Sequence, residues 1–354
     1  MPRWHSRWAR APVTYRREFV DRYVPNESSL LPRGLAQALA AEGRMQGEQP
    51  AGTYARKVLE QLLIDLSWSS SRLEGNRYTL LATQDLFKSG ATTGDPDAIM
   101  LLNHKRAIEF LVDAVPQYGL TAAVVRNVHA VLMQDLLPDV ESLGAIRQKI
   151  VRISDTTYLP TQVPSLLGEM FETVIDRARH IHNPLEAAFF LWVQLAYLQP
   201  FEDGNKRTSR LAANIPLMLF NCAPLSFLDV GPQDYALAMM GVYEFLDVSL
   251  AIDLFGRTYR RSVAKYTVVL ASMGAPDPMR LRWREALNDA LHRVVRQGES
   301  AATALSALAI PADQAPGFER MLLDELNALD VHNCARYRLP MGAVEAWVAA
   351  GRRR

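Results

Sequence analysis

The chain has 354 residues, 49% hydrophobic and 22% charged, a composition that supports a full globular core plus one or two accessory parts and excludes a fibrous or disordered protein. Its 39 basic and 38 acidic residues leave a net charge of +1, so no global field recruits nucleic acid or anionic membrane, and phosphate binding has to be local. Cys222 and Cys334 form neither a disulfide framework nor a zinc pattern; they read as small buried hydrophobes, which makes a reducing, cytoplasmic setting the expectation.

Residues 1–50 read as an N-terminal arm. Arg3, Arg7, Arg10, Arg16, Arg17 and Arg22 lie among Trp4, Trp8 and Tyr15, with no apolar stretch behind them to make a signal peptide. Glu18 and Asp21 argue against an organelle transit segment, so the arm is expected to pack on the body or on a partner, nucleic acid not being the expected one. Within 51–95, the apolar positions from Thr53 to Glu74 predict one helix, halted at Gly75-Asn76. Ser71-x-x-Glu74 has the form of a capping box, but such a box opens a helix and here one ends.

A core region follows at 96–271. Asp97 to Val115 predicts a helix that stops before Pro116, and Thr121 to about Leu136 another, with His129 a satisfied core histidine rather than a ligand. The texture then changes: Ile150, Val151, Ile153, Thr156, Thr157 and Tyr158 around Ser154-Asp155 predict a short hairpin within Ile146–Thr161. Val163 to Ile181 is helical again and ends in His180-Ile181-His182, a spacing that shares no helix face and so makes no metal pair.

Leu185 to Leu198 is continuously apolar, the mark of a buried helix; with Glu186 and Gln194 inside, it is short of the roughly 18–20 uninterrupted residues of a membrane span. Pro200 stops it, and Leu211 to Phe220 is apolar and helical again, so Asp203 to Asn205 connects two core helices. A helix opening there aims unpaired N–H groups and a positive dipole end into the loop, which is an anion site. Arg207 and Arg210 share one face and are placed to grip a polyphosphate together, while Asp203 offers a hard oxygen suited to Mg²⁺. The plain alternative is a helix–loop–helix corner with a glycine turn and two solvated arginines. Beyond the motif, a helix from Asp234-Tyr235 to Leu250 carries a Met and aromatic stripe of core type, and Ile252 to Val269 closes the domain. Ser272 to Pro278 reads as a linker into a helical accessory region, 272–354, suited to dimerisation or partner docking.

In Phe201-x-Asp203-Gly204-Asn205-Lys206-Arg207-x-x-Arg210 the chain resembles the Fic/Doc (Fido) family, whose signature is His-Pro-Phe-x-Asp/Glu-Gly-Asn-Gly/Lys-Arg-x-x-Arg. The resemblance implies a mainly α Fic-type bundle with a short β-hairpin flap. It implies that Asp203 holds Mg²⁺, that Gly204, Asn205, Lys206 and Arg207 form an anion hole for the α- and β-phosphates of ATP or another nucleotide, and that Arg210 meets the γ-phosphate. Tyr235 would border the base. Ser70 and Glu74-Gly75 are similar to the family's inhibitory helix, of the subclass that carries it ahead of the Fic domain, with Glu74 pairing Arg210 where the γ-phosphate belongs. The hairpin would be the flap, in which Val151, Ile153, Thr157 and Tyr158 hold a target segment as an added strand.

Gln199 stands where the family has its histidine, the group that takes a proton from a target hydroxyl so that the oxygen can attack the α-phosphorus. An amide hydrogen-bonds but stores no proton. Three functions therefore stay open: nucleotidyl or phosphoryl-containing transfer to a protein or small-molecule hydroxyl with Gln199 orienting the acceptor, a nucleotide- or partner-binding protein that catalyses nothing, and a helical interaction protein without nucleotide affinity.

Overall fold

The computed structural model describes residues 10–45, 49–90, 94–272, 282–308, 310–311 and 314–352. The expected arm residues Arg3, Trp4, Arg7 and Trp8, and the linker from residue 273 on, lie outside them. Residues to Ser272 form one compact unit and the rest a second.

The first unit is helical, with one two-residue strand pair. In chain order it contains β1 (Val13–Thr14), α1 (Glu18–Asp21), α2 (Arg33–Gly43), α3 (Thr53–Lys57), α4 (Leu59–Arg72), α5 (Leu80–Ser89), α6 (Pro96–Tyr118) and α7 (Ala122–Met133). After β2 (Tyr158–Leu159) come α8 (Pro164–His180), α9 (Pro184–Leu198), α10 (Asn205–Ala212), α11 (Asn214–Leu219), α12 (Pro232–Met240) and α13 (Ser249–Ser272).

The organising element is α9. Asn183 caps it, its Oδ1 accepting from the N–H groups of Leu185 at 2.9 Å and Glu186 at 3.1 Å, and Pro184 fits the first turn, where no N–H partner is needed. Every residue of α9 is buried, and it packs against α2, α8, α10 and α11. Side chains such as Phe189, Phe190 and Trp192 each contribute about 1.5–3 kcal/mol of burial, which fixes this helix as the floor on which the following loop stands. Glu186, one of its two polar side chains, accepts from Leu30 N–H at 2.7 Å, Leu31 N–H at 2.9 Å and the Tyr23 hydroxyl at 2.9 Å. The arm thereby becomes core: Val20, Tyr23, Leu31, Ala36 and Leu39 are all buried.

Three expectations are corrected. The helix expected over 53–74 breaks at Val58 into α3 and α4, and Glu74 lies in the turn just past α4. The helix expected over 234–250 ends in a π-helical turn at Gly241–Phe245, and α13 starts separately. The segment 146–161 does not close on itself as a hairpin: its strand, β2, pairs in parallel with β1 in the arm, Val13 opposite Tyr158 and Thr14 opposite Leu159. Alternating β-branched residues encode a strand, but not which edge it meets.

The second unit has its own core, with Leu291, Phe318, Leu322 and Trp347 among its buried members, built from α14 (Arg284–Gln297), α15 (Ala301–Ser306), α16 (Ala315–Ala328) and α17 (Met341–Ala349). Gly298, at φ +71°, separates α14 from α15. Both cysteines are buried and free.

Candidate active site

The loop between α9 and α10 is fixed by its own sequence. Gln199 leaves α9 at φ 52°, and Gly204 opens α10 at φ 71°. A Cβ on Gly204 would stand 2.5 Å from Met133 Sδ, so conformation and space both demand glycine. Asn205 staples the loop: its Oδ1 accepts from Phe201 N–H and its Nδ2 donates to the Phe201 carbonyl, both at 2.8 Å. Phe201 is buried and stacks on His129 with ring centroids 3.9 Å apart. His129 is the core histidine expected: its Nδ1 accepts from Gly144 N–H at 2.9 Å, which assigns the proton to Nε2, the donor to the Asp203 carbonyl at 3.0 Å. Burial and the Arg207 charge push its pKa down to about 4, against the pull of the Asp203 bond, so the ring is neutral. From the other side, the buried Arg147 donates through Nε to the Gln199 carbonyl at 2.8 Å.

The two arginines of α10 share a face as expected but not a partner. Arg207 reaches Met133 Sδ at 3.1 Å and Asp203 Oδ2 at 3.5 Å. Arg210, fully buried, lies over the Tyr235 ring at 5.0 Å and donates to Ser70 Oγ at 2.9 Å, the Ser70 carbonyl at 3.0 Å and Glu74 Oε1 at 2.6 Å. One nitrogen of each guanidinium, Arg207 Nη1 and Arg210 Nη1, is buried without a partner among the described residues. Buried cationic donors left over in this way suit charge-assisted hydrogen bonds to an anion. Lys206 Nζ adds a third cation 3.5 Å from Glu74. Burial raises the Glu74 carboxyl, but Arg210 and Lys206 pull it further the other way, to about 2.

Sequence reasoning missed what lies behind Ser70. The Ser70 hydroxyl, which accepts from Arg210, meets His104 Nε2 at 3.1 Å, and His104 Nδ1 meets the Met100 carbonyl at 3.0 Å. The consistent assignment is a relay of donors, Arg210 to Ser70 to His104, ending on a backbone carbonyl. Burial holds His104 neutral, its pKa lowered to about 3. The only signal in the sequence was a histidine within an apolar helix, and nothing there says which helix it faces.

Over these groups opens a cleft of about 330 Å³. Glu74, Gln199, Glu202, Asp203, Asn205 and Lys206 line one side, Val151 to Thr156 the rim, and Tyr235, Met239, Met240 and Tyr243 the far wall. Neither Gly204, Arg207 nor Arg210 lines it; the two guanidiniums lie behind Asp203 and Glu74, which do. The Asn205 amide is used up on Phe201, a loop staple rather than a free phosphate ligand. Tyr235 is in place on the wall, its hydroxyl accepting from Trp192 Nε1 at 3.1 Å.

The expected flap residues divide. Val151 and Ile153 line the cleft; Thr157 and Tyr158 do not. Tyr158 is buried, stacks on Tyr197 and Tyr243 and donates to the Tyr197 carbonyl at 2.6 Å. Thr157 donates to the Ala11 carbonyl, and Glu244 accepts from Thr156 Oγ1 at 2.7 Å, Thr157 N–H at 3.0 Å and Arg10 at 2.9 Å. The arm thus pairs with one edge of β2, and residues 151–156 of the segment line the cleft.

Among the described residues no three His, Cys, Asp or Glu side chains converge on a metal site. Asp203 is a single carboxylate on the cleft wall with 69% of its side chain exposed, a donor set that fits Mg²⁺ carried in on nucleotide phosphates, the usual mode for that ion. No helix is long and apolar enough to cross a membrane among the described residues.

Comparison with known proteins places this geometry. Residues 119–217 match the Fic/DOC family. The chain is 24% identical over 225 residues to "Protein adenylyltransferase fic-1" of Caenorhabditis briggsae, covering 61% of this chain and 42% of that protein. It is 23% identical over 229 residues to "Protein adenylyltransferase Fic" of Nematostella vectensis, covering 62% and 50%. It spans half or less of the length of these curated relatives. Among solved structures, Fic-1 (residues 134–508) from C. elegans superposes with a TM-score of 0.55 at 17% identity over 73% of each chain. A Fic family protein from Desulfovibrio desulfuricans G20 does so at 0.53 and 18% over 86% of this chain and 92% of that one. At such identities the structures speak for the fold alone. Residues 119–217 thus carry the match to the Fic/DOC family, and the solved structures agree with it in fold.

Proposed function

We propose that the cleft binds a nucleoside triphosphate with Mg²⁺ and transfers a nucleotidyl group from it to an oxygen acceptor, and that Glu74 holds the site closed. The observation that carries this reading is the 2.6 Å contact between Glu74 and Arg210, with unpartnered nitrogens of Arg207 and Arg210 beside it. A carboxylate sits on a guanidinium whose Nη1 has no partner among the described residues; a phosphate would replace the one and satisfy the other. The names of the curated relatives, both adenylyltransferases, support AMP as the group moved.

The chain's residues divide the work as follows. Lys206 and Arg207 neutralise the phosphates near the loop, and Arg210, held by Ser70 and Tyr235, takes the terminal phosphate once Glu74 leaves. Asp203 would hold Mg²⁺, which supplies charge neutralisation on the phosphates. Gln199 orients the acceptor and takes no proton from it. Losing a general base typically costs about 10²–10⁴ in rate, so catalysis would rest on positioning and on the cationic pocket.

A second reading, nucleotide binding without turnover, is favoured by Gln199 itself. Incubating Glu74→Ala with α-labelled ATP and cell lysate, followed by intact-mass analysis, separates the two: an adduct of AMP mass supports transfer, and bound nucleotide without any adduct supports the binder. If Gln199→His gains transfer that the native residue lacks, glutamine is a disabling residue; if it abolishes a native transfer, glutamine is a working one.

A further inference from the structure

Gln199 leaves the cleft without an imidazole, and of the four carboxylates on its walls three are ion-paired. Glu74 is engaged by Arg210 and Lys206, Glu202 by Lys149 at 3.0 Å, and Asp203 by Arg207 at 3.5 Å. The fourth, Asp155, points its carboxylate from an exposed turn of the rim, where Arg10 binds only its backbone carbonyl. What the acceptor side does offer is hydrogen-bond donors. Gln199 Nε2 donates one N–H to the Ala196 carbonyl at 2.7 Å, which orients the amide and leaves its second N–H unassigned. Arg152, on the rim, has no ion pair among the described residues and is exposed. Tyr243 lines the far wall with a side chain only 4% exposed, and its buried hydroxyl lies beside Gln199 without a bond of good geometry to it or to anything else. The π-helical turn Gly241–Phe245 is what delivers that ring, a local widening of the helix that recurs at functional positions. A buried phenol whose proton has no acceptor among the described residues is costly, and a ligand oxygen would relieve it.

We propose that the acceptor in this cleft is an oxyanion, a phosphate or phosphomonoester, held by Tyr243, Gln199 and Arg152, rather than the neutral hydroxyl that the family resemblance implies. The inference rests on the nucleotidyl-transfer reading above. An oxygen of the acceptor phosphate, already carrying its electron pair, forms the new bond to the α-phosphorus. The bond from that phosphorus to the bridging oxygen breaks, and pyrophosphate leaves with the pair. No proton has to change hands, so no base is needed. With inorganic phosphate as acceptor, ATP yields ADP and pyrophosphate, and the phosphate becomes the β-phosphate of the ADP. Tyr243 donates to a non-attacking oxygen of the acceptor, and burial keeps it a phenol, well above the ordinary tyrosine pKa. Asp155 and Glu202 stand on the same walls, and Lys149 balances Glu202, so Arg152 carries the attraction for the incoming charge.

The test uses the full chain with Glu74→Ala, Mg-ATP, and three acceptors: radiolabelled inorganic phosphate, O-phosphoserine and N-acetylthreonine amide. Labelled ADP from phosphate, or an AMP adduct of phosphoserine, without reaction of the threonine amide, is the expected result, and the two phosphate arms decide between a free and an esterified acceptor. Tyr243→Phe and, separately, Arg152→Ala should each raise the KM for phosphate about tenfold while ATP affinity measured by calorimetry stays within about twofold. Replacing phosphate by the more basic methylphosphonate should move the acid limb of the rate profile by the difference in acceptor pKa, because the titrating group belongs to the acceptor. Transfer to threonine amide but not to either phosphate overturns the proposal, as does ATP binding with no reaction of any acceptor. Absence of ATP binding would instead bring down the nucleotidyl reading itself.

Discussion

Two stretches border the cleft and are built in opposite ways. The loop from Gln199 to α10 takes its shape from within, where Gly204 supplies the turn and Asn205 closes Phe201 with two bonds, while His129 and Arg147 brace its carbonyls from elsewhere. The rim, 146–161, is determined from without: it has two strand residues, and its position is set by the arm through Arg10, Ala11 and Val13 and by Glu244. A segment whose partners are close in sequence can be read from that sequence. One held by residues about 145 positions away cannot.

The comparison can be broken at its strongest point by Asn205→Ala, which leaves a buried N–H and C=O of Phe201 unpaired. Two such groups at about 1–3 kcal/mol each give an expected loss of about 2–6 kcal/mol in urea unfolding. Gly204→Ala, with a strained φ and a clash against Met133, should cost about 1–3 kcal/mol by the same measurement. At the rim, Val13→Pro removes the N–H donated to the Thr157 carbonyl. It should lower global stability by about 1 kcal/mol or less while speeding amide exchange through 151–158 more than in α9, and a uniform acceleration would contradict the division drawn above.

The smallest effect is one of pH. His129 and His104 titrate below the ordinary histidine value, near 4 and 3, so the native state binds protons less readily than the unfolded chain. The stability they lend is present above about pH 6.5 and is lost as pH falls toward those values. Denaturant midpoints between pH 7 and 4.5 should fall less steeply for His129→Gln than for the native chain.

The buried α9, the phosphate-compatible turn and the quiet role of His129 were legible, since each follows from periodicity or a local turn rule, and the mainly α fold class was legible through family resemblance. So was the pairing of Glu74 with Arg210, though only through family resemblance. Four features were not. The parallel pairing of β1 with β2 joins distant segments that carry no register signal. The break at Val58 and the π-helical turn that aims Tyr243 are small backbone departures decided by packing. His104 acts through Ser70, a contact between α4 and α6 that no spacing along the chain encodes. Asn205 lines the cleft, but the bonding of its side-chain amide to the backbone of Phe201 was not legible, because the same amide suits a phosphate and the loop's own backbone alike.

Calorimetric titration of Mg-ATP into the native chain and into Glu74→Ala, at pH 8 and pH 5, tests most directly whether Glu74 guards a nucleotide site. With the Glu74 carboxyl held near 2, its contribution is complete above the ordinary carboxyl range and fades only as pH falls toward that value, so the native chain should bind weakly at both pH values. The variant should bind at least about tenfold tighter at both, the least expected when a charge-assisted contact is removed from the phosphate's place. Equal affinity in the two proteins, or no heat in either, would contradict the account.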